Sequence, residues 1–212
     1  MLTHSKLDEV MKAVATVMEV NRQMLIELDQ RNGDGDLGIS MADGYGAASR
    51  FIQTSQEDDL GKLFVGMSRV FNEAAPSSLG TITSLFMMGA AKVLKGNTRA
   101  ELSLLASALR EGMNRIMEKA GSKPGEKTIL DALEPAIRAL EEKHQEPAAA
   151  AFRAAADAAN SGAQSTAGML AVHGRAAYYG ERTLGLIDGG AVAGALVFEA
   201  IADTVAKMTA EA

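Results

Sequence analysis

The sequence predicts an all-α fold, and three observations carry that prediction. Apolar residues recur at three- and four-residue steps along most of the chain, the signature of amphipathic helices. No segment shows convincing strand alternation, and aromatic residues make up only 4% of the sequence, so strand-forming clusters are sparse. Linkers are short, without low-complexity stretches or a fixed-period repeat, which favours one domain over residues 1–212.

The first helix is read from Leu7, Val10, Met11, Val14, Val17, Met18, Met24, Leu25 and Leu28, which form one apolar stripe. Asn21 interrupts that stripe and is expected to be a satisfied core amide, and the helix should stop at a glycine-rich loop. A second helix spans about 39–53 and a third about 59–73. A fourth begins near Pro76 or Ser78, residue types suited to a helix start, and ends at Lys95-Gly96-Asn97. A fifth covers about 98–120, bounded by Gly121. A sixth follows Lys127-Thr128 and ends near His144, and a seventh spans about 147–160. The next covers 164–174 and beyond, and the last runs from about Gly190 to the C-terminus. Alanines at 148–151, 154–156 and 158–159 are expected to let helices approach closely while keeping good helix propensity.

Composition narrows the function. With 212 residues, 47% hydrophobic and 23% charged, the chain suits a globular protein with a substantial core. A net charge of −6 argues against nucleic acid, since no sustained basic face is available to neutralise phosphates. The absence of cysteine removes disulfides, thiolate catalysis and cysteine-ligated zinc. The start leads into an amphipathic helix and not a secretion signal. The most apolar run, 79–94, is interrupted by Thr81, Thr83, Ser84 and Lys92 and falls short of the ~20 residues a membrane span needs. The expectation is a cytoplasmic protein without a membrane partner.

The segment from Asp29 to Gly38 carries Asp29, Asp34 and Asp36 among Gly33, Gly35 and Gly38. Its letters spell G-x-G-x-x-G, but a dinucleotide fingerprint needs a preceding strand and bare N–H groups, and a pyrophosphate would be repelled by these aspartates. An ordinary Asp-Gly turn is one alternative. A calcium loop over Asn32, Asp34, Asp36 and Asp43 is another, but Leu37 stands where the sharp turn needs glycine and Asp43 where a bidentate Glu is expected. A metal–phosphate loop is favoured, because three close carboxylates repel unless a cation neutralises them, and Mg²⁺ takes a few carboxylates plus substrate phosphates.

Three later stretches add weight. Ala74 to Thr81 offers small and hydroxyl residues at a helix start, which suits either a plain N-cap or an anion site. Lys123 to Thr128 is no P-loop, since Glu126 stands where glycine is required; Lys127 is either a solvated lysine or a phosphate ligand. Gly174 to Ala191 gathers Arg175 and Arg182 with Tyr178, Tyr179 and closely spaced glycines, where the arginines suit phosphate or surface pairs with Glu181 or Asp188. His4 and His144 read as exposed, His173 lacks an obvious acidic partner, and no nucleophile elbow supports a serine hydrolase.

Taken together, Asp29 with Asp34-Gly35-Asp36-Leu37-Gly38, Ser78-Leu79-Gly80-Thr81, Gly125-Glu126-Lys127-Thr128-Ile129-Leu130-Asp131 and Gly174 through Ala191 match one pattern in order and spacing. The chain resembles the nucleotide-binding L subunit of dihydroxyacetone kinases across essentially its whole length. That resemblance implies an antiparallel eight-helix barrel with ADP or ATP at one end. It implies two Mg²⁺ ions on Asp29, Asp34 and Asp36. It also implies a nucleotide surrounded by Leu37, Gly38, Ser40, Ser78, Leu79, Gly121, Ile129, Arg175, Asp188, Gly189 and Gly190. The implied partner is a separate K subunit that holds the sugar covalently through a histidine. In phosphotransferase-linked systems a phosphocarrier M subunit recharges retained ADP, whereas ATP-dependent versions exchange ATP.

The chain departs from the pattern at Leu37, where the family often has histidine. It departs again at Ser78-Leu79-Gly80, in place of a G-A-S-G-type turn, and at Gly189, in place of proline. These departures leave the sugar open, with a related ketose or tetrose as alternatives. A non-catalytic nucleotide-binding regulator is the rival class, and a homodimer stays open.

Overall fold

The helices start and stop where local chemistry satisfies their free backbone groups. The structure, a computed structural model, describes residues 1–210. Thr3 accepts a hydrogen bond from the Lys6 N–H to open α1 (His4–Val20), and Asp59 does the same from Lys62 for α4 (Leu60–Ala74). Ser77 accepts from the Gly80 N–H at 3.1 Å to open α5 (Ser78–Leu94). At the other kind of end, Gly121 turns left-handed, φ 67°, to close α6 (Leu102–Ala120).

Asn21 is not a core amide. It is half-buried and breaks the first predicted helix into α1 and α2 (Arg22–Asp29), with its side-chain amide donating to the Val17 carbonyl at 2.8 Å. The side-chain bond competes with the helix's own ladder, which is why the rod bends here. The remaining helices are α3 (Leu37–Thr54), α7 (Leu130–Glu142), α8 (Ala148–Ser165) and α9 (Gly189–Ala210). The helix expected over 164–174 does not form. After α8 come a single 3-10 turn, Thr166–Gly168, an extended stretch, and a 3-10 segment, Arg175–Thr183, broken at Gly180. Glycines with positive φ at 174, 180 and 185 precede, break and follow the second segment, so it does not continue as one helix.

With α1 and α2 taken as one bent rod, the described residues form eight rods in a closed ring. Each packs on the next in chain order, and α9 returns to α1. Most connectors are too short to reverse direction twice, so neighbouring rods run antiparallel. The expected eight-helix barrel is therefore the observed one. Its consequence for function is geometric: the connections α2–α3, α4–α5, α6–α7 and α8–α9 all fall at the same rim.

Two apolar clusters fill the ring. One draws Met18, Leu25, Met41, Ile52 and Phe71 from the first half, the other Ile116, Leu130, Leu140, Phe152 and Phe198 from the second. Leu79 and Ile201 touch both. Between them lies a cavity of about 540 Å³, lined by side chains such as Met11, Phe64, Phe86 and Phe198. The alanines of α8 pack as expected, with Ala151, Ala155, Ala156 and Ala159 fully buried against α7 and α9. α9 is the one described helix long and apolar enough to cross a membrane; here it is a stave of the ring, pinned through Arg153 of α8 to Glu199 and Asp203.

Candidate functional site

The rim loop between α2 and α3 is built around Asp29. Its backbone carbonyl accepts the Gly33 N–H at 2.6 Å, and its carboxylate accepts the Gly35 N–H at 2.7 Å, folding the loop back on itself. Gly35 adopts φ 79°, a conformation glycine enters without steric cost. The result brings carboxylate oxygens of Asp29, Asp34 and Asp36 within 4.8 Å of one another. Asp36 stands at the N-cap position of α3 but makes no capping bond, so its carboxylate faces the cluster. Burial, then the charges of Asp34 and Asp29, push its pKa above the usual carboxylate value.

That donor set fits a divalent cation. Three hard oxygen ligands are close enough to share ions, and the mutual repulsion that raises Asp36 is what a cation would relieve. The calcium alternative fails on geometry, because Asp43 lies on α3 and pairs with Arg22 at 2.9 Å. Asp34 is met by Arg175, whose guanidinium Nη2 lies 3.0 Å from its carboxylate. Arg175 thus pairs with neither Glu181 nor Asp188, and Arg182 lies over the Tyr179 ring at 5.0 Å.

Behind the loop, Leu37 and Gly38 turn inward. Both are buried, as is Ser40 on the same turn of α3. A Cβ on Gly189 would lie 3.1 Å from the Leu37 Cδ1, so two of the positions where the chain departs from the family pattern touch each other. Gly189→Pro is expected to cost about 1–3 kcal/mol by overpacking this contact. Combined with Leu37→Ala, it should show coupling of ~1 kcal/mol in a denaturation double-mutant cycle. Additive costs would place the two side chains out of contact.

The Asp188–Gly190 turn sits beside Ile129. A Cβ on Gly190 would lie 3.5 Å from the Ile129 N, and Ile129 packs against Gly194 of α9. The Asp188 carboxyl accepts the Ala191 N–H at 2.7 Å, which caps α9. Burial of that carboxyl pushes its pKa up to about 6. Asp29, Asp34, Asp36, Leu37, Gly38, Ser40, Arg175, Gly189 and, through Asp188 and Gly190, Ile129 form one connected patch. Ser78, Leu79 and Gly121 sit on neighbouring rim connections; Leu79 is partly buried against both core clusters, and Ser78 and Gly121 are exposed.

Several groups escaped the sequence reading. His173 does have an acidic partner, Glu126, at 2.6 Å, and the contact holds the Glu126 carboxyl below its usual pKa. The two are 47 positions apart, so no local pattern could reveal them. His4 is partly buried and bonded to the Ile52 carbonyl at 3.1 Å. Lys127 is neither solvated nor aimed at the rim; it is buried, with its ammonium on two backbone carbonyls.

A closed ring of antiparallel helices with an acid-lined loop on one rim defines an all-α barrel domain built to present polar groups at that end. The chain belongs to the DAK2 domain family, whose model matches residues 31–203. It is 32% identical to an ADP-binding subunit, DhaL, of a PEP-dependent dihydroxyacetone kinase from Listeria innocua, covering 88% of this chain and 89% of that one. It is 29% identical to a D-erythrulose kinase of Mycolicibacterium smegmatis, over 93% of this chain and 35% of that protein. Among solved structures, the dihydroxyacetone kinase from C. freundii in complex with AMP-PNP and Mg²⁺ superposes with a TM-score of 0.74 at 26% identity. That match covers 92% of this chain and 33% of the kinase, so this chain spans about a third of that protein.

Proposed function

We propose that this chain is the nucleotide-binding subunit of a dihydroxyacetone-type kinase, with residues 1–212 acting as one domain. In this reading it holds a Mg-nucleotide and presents its terminal phosphoryl group to a small ketose carried by a separate K subunit. The observation that carries the reading is the Asp29–Asp34–Asp36 cluster on a rim shared with Arg175, Ile129 and the 188–190 turn. The likeness to an ADP-binding subunit over nearly the whole of both chains supports it.

Asp29, Asp34 and Asp36 would hold Mg²⁺, two ions by the family pattern, and the bound metal would supply charge neutralisation at the transferring phosphoryl group. The other work falls to the chain itself. The first turns of α3 and α5 leave backbone N–H groups free at the rim, where Leu37, Gly38, Ser78 and Leu79 would meet phosphate, while Ser40, whose N–H is taken by the Asp36 carbonyl at 2.9 Å, would meet it through its side chain. Gly121, Ile129, Asp188, Gly189 and Gly190 would wall the rest of the nucleotide. Arg175 is largely exposed, so its pair with Asp34 is worth little and can be exchanged for a phosphate. Phosphoryl transfer rests on positioning and charge, so no nucleophile is asked of this chain.

Arg175→Ala is expected to raise the ADP off-rate about tenfold or more, the scale of one charge-assisted hydrogen bond. An unaltered off-rate would remove Arg175 from the nucleotide site. The full assay combines the chain with a K subunit, dihydroxyacetone or erythrulose, and either MgATP or a phosphocarrier M subunit. Phosphorylated ketose is the expected product. Its absence with every donor, despite tight ADP binding, would favour a non-catalytic regulator. Erythrulose belongs in the assay because erythrulose kinases are among the relatives. Mass analysis of native protein for co-purified ADP separates a resident coenzyme from exchanging ATP. The reading places the protein in the cytoplasm with neither nucleic acid nor membrane as partner, and does not require a homodimer.

A further inference from the structure

Lys127 occupies a constrained position in the α6–α7 connection. It is the one non-glycine residue among those described with a left-handed backbone, φ 61°, and it is only 4% exposed. Such a conformation persists only where the surroundings enforce it. Asp131 does so from both sides of the turn, accepting the Gly125 N–H at 2.5 Å on one oxygen and the Thr128 N–H at 2.7 Å on the other. The backbone so held sends the Lys127 ammonium inward. There it donates to the Thr166 carbonyl at 2.6 Å and to the Leu186 carbonyl.

We propose that Lys127 is a positioning residue whose ammonium ties the Leu186–Gly190 turn to the end of α8 and to the Gly125–Thr128 turn, pre-forming one wall of the nucleotide site and balancing the charge of Asp188. The inference rests on the nucleotide reading above. Its two carbonyl partners lie on different segments, which a backbone bond from the Gly185 N–H to the Ala167 carbonyl at 2.8 Å also joins, and Lys127 adds the tie from both of them to the Gly125–Thr128 turn. Thr166 doubles the connection, because its hydroxyl accepts the Asp188 N–H at 2.9 Å while its carbonyl takes Lys127. Buried this deeply and committed to two carbonyls, Lys127 does not reach a phosphate.

The electrostatics follow from the same geometry. Burial lowers the Lys127 pKa, and the facing carboxylates of Asp188 and Asp131 oppose that. At Asp188 the order is burial, which raises the pKa, then the Ala191 N–H and Lys127, which lower it, with Asp131 raising it again. Because the folded pKa of about 6 lies above the ordinary carboxylate value, ionising Asp188 costs stability. That cost builds as pH rises toward and through the folded pKa, and the Lys127 charge limits it. Without the ammonium, the turn carries an uncompensated buried carboxylate at neutral and higher pH.

The test measures amide hydrogen exchange of residues 186–191 without nucleotide, and release of a fluorescent ADP with Mg²⁺, each against wild type from about pH 5.5 to about pH 8. Lys127→Met is expected to accelerate both about tenfold at the upper pH, with a much smaller deficit at the lower. Lys127→Met combined with Asp188→Asn should recover most of the protection, since the pair is then uncharged. Should Lys127→Met fail to fold, Lys127→Gln keeps a donor without the charge and is expected to show a deficit of the same pH dependence. Wild-type protection and off-rates at the upper pH would overturn the proposal, as would a pH-independent deficit that the double variant does not relieve. If wild type itself fails to bind ADP the nucleotide reading falls, while the exchange data still decide whether Lys127 holds the turn.

Discussion

Asp36→Asn is expected to abolish Mg-ADP binding while leaving the nucleotide-free chain no less stable than the parent. Losing an outer-shell partner of a metal ligand costs 10–100-fold in affinity, so losing a ligand should cost at least about a hundredfold. The nucleotide-free protein has the opposite balance. Asp36 is raised above the usual carboxylate pKa by burial and by Asp34 and Asp29, so holding it ionised there is unfavourable to the fold. Asparagine removes that repulsion. The melting temperature without ligand should therefore hold or rise at neutral pH, and any gain should fade as pH falls through the carboxylate range and Asp36 itself becomes neutral. The Mg-ADP-dependent rise in melting temperature should disappear. Asp34→Asn should likewise lose Mg-ADP binding. Calorimetry with Mg²⁺ present decides the matter, since an unchanged ADP affinity in either variant would sink the metal assignment.

Gly38→Ala should be a strongly damaging small substitution at the rim. α3 passes so close to α2 at this point that a Cβ would run into the Arg22 carbonyl oxygen and sit 2.9 Å from Ile26 Cγ1. Backbone cannot yield as a side-chain tip does, so the two helices must separate, at a cost of about 2–4 kcal/mol. For a chain of this size that is a loss of about 5–15 °C in melting temperature. The metal loop joins these two helices, so Mg-ADP affinity should fall with stability. Gly46→Ala on the same helix is the control. Its new methyl would meet only the flexible end of Arg50, at 3.3 Å, and helix propensity then makes it neutral or stabilising by up to ~1 kcal/mol. Equal losses in the two variants would refute the close-approach argument.

Much of the fold was legible because helix formation is a local matter. Period, caps such as Ser77 and Asp59, and the stop at Gly121 all act within a turn or two of chain. The failures were of the same local kind. Asn21 was read by its place in an apolar stripe, but its side chain competes with the ladder. The stretch after Ser165 was read by composition, but its glycines at 174, 180 and 185 take positive φ. At the rim, the acidic cluster was legible because three carboxylates in eight positions are unfavourable without a reason. The partners of Arg175, His173 and Leu37 were not, since each lies on another connection of the ring.

The sequence by itself determined the helical rods, the acidic loop and the family pattern, because each is written in residues close together along the chain. Tertiary structure alone decided that four connections share one rim and that Arg175 meets Asp34. It alone decided that Leu37 fills the space left at Gly189, and that Lys127 turns inward to hold two distant carbonyls. Ring closure between α9 and α1 sets those meetings. No residue's own neighbours encode them, because the contacts form only when packing of the apolar faces brings remote segments together.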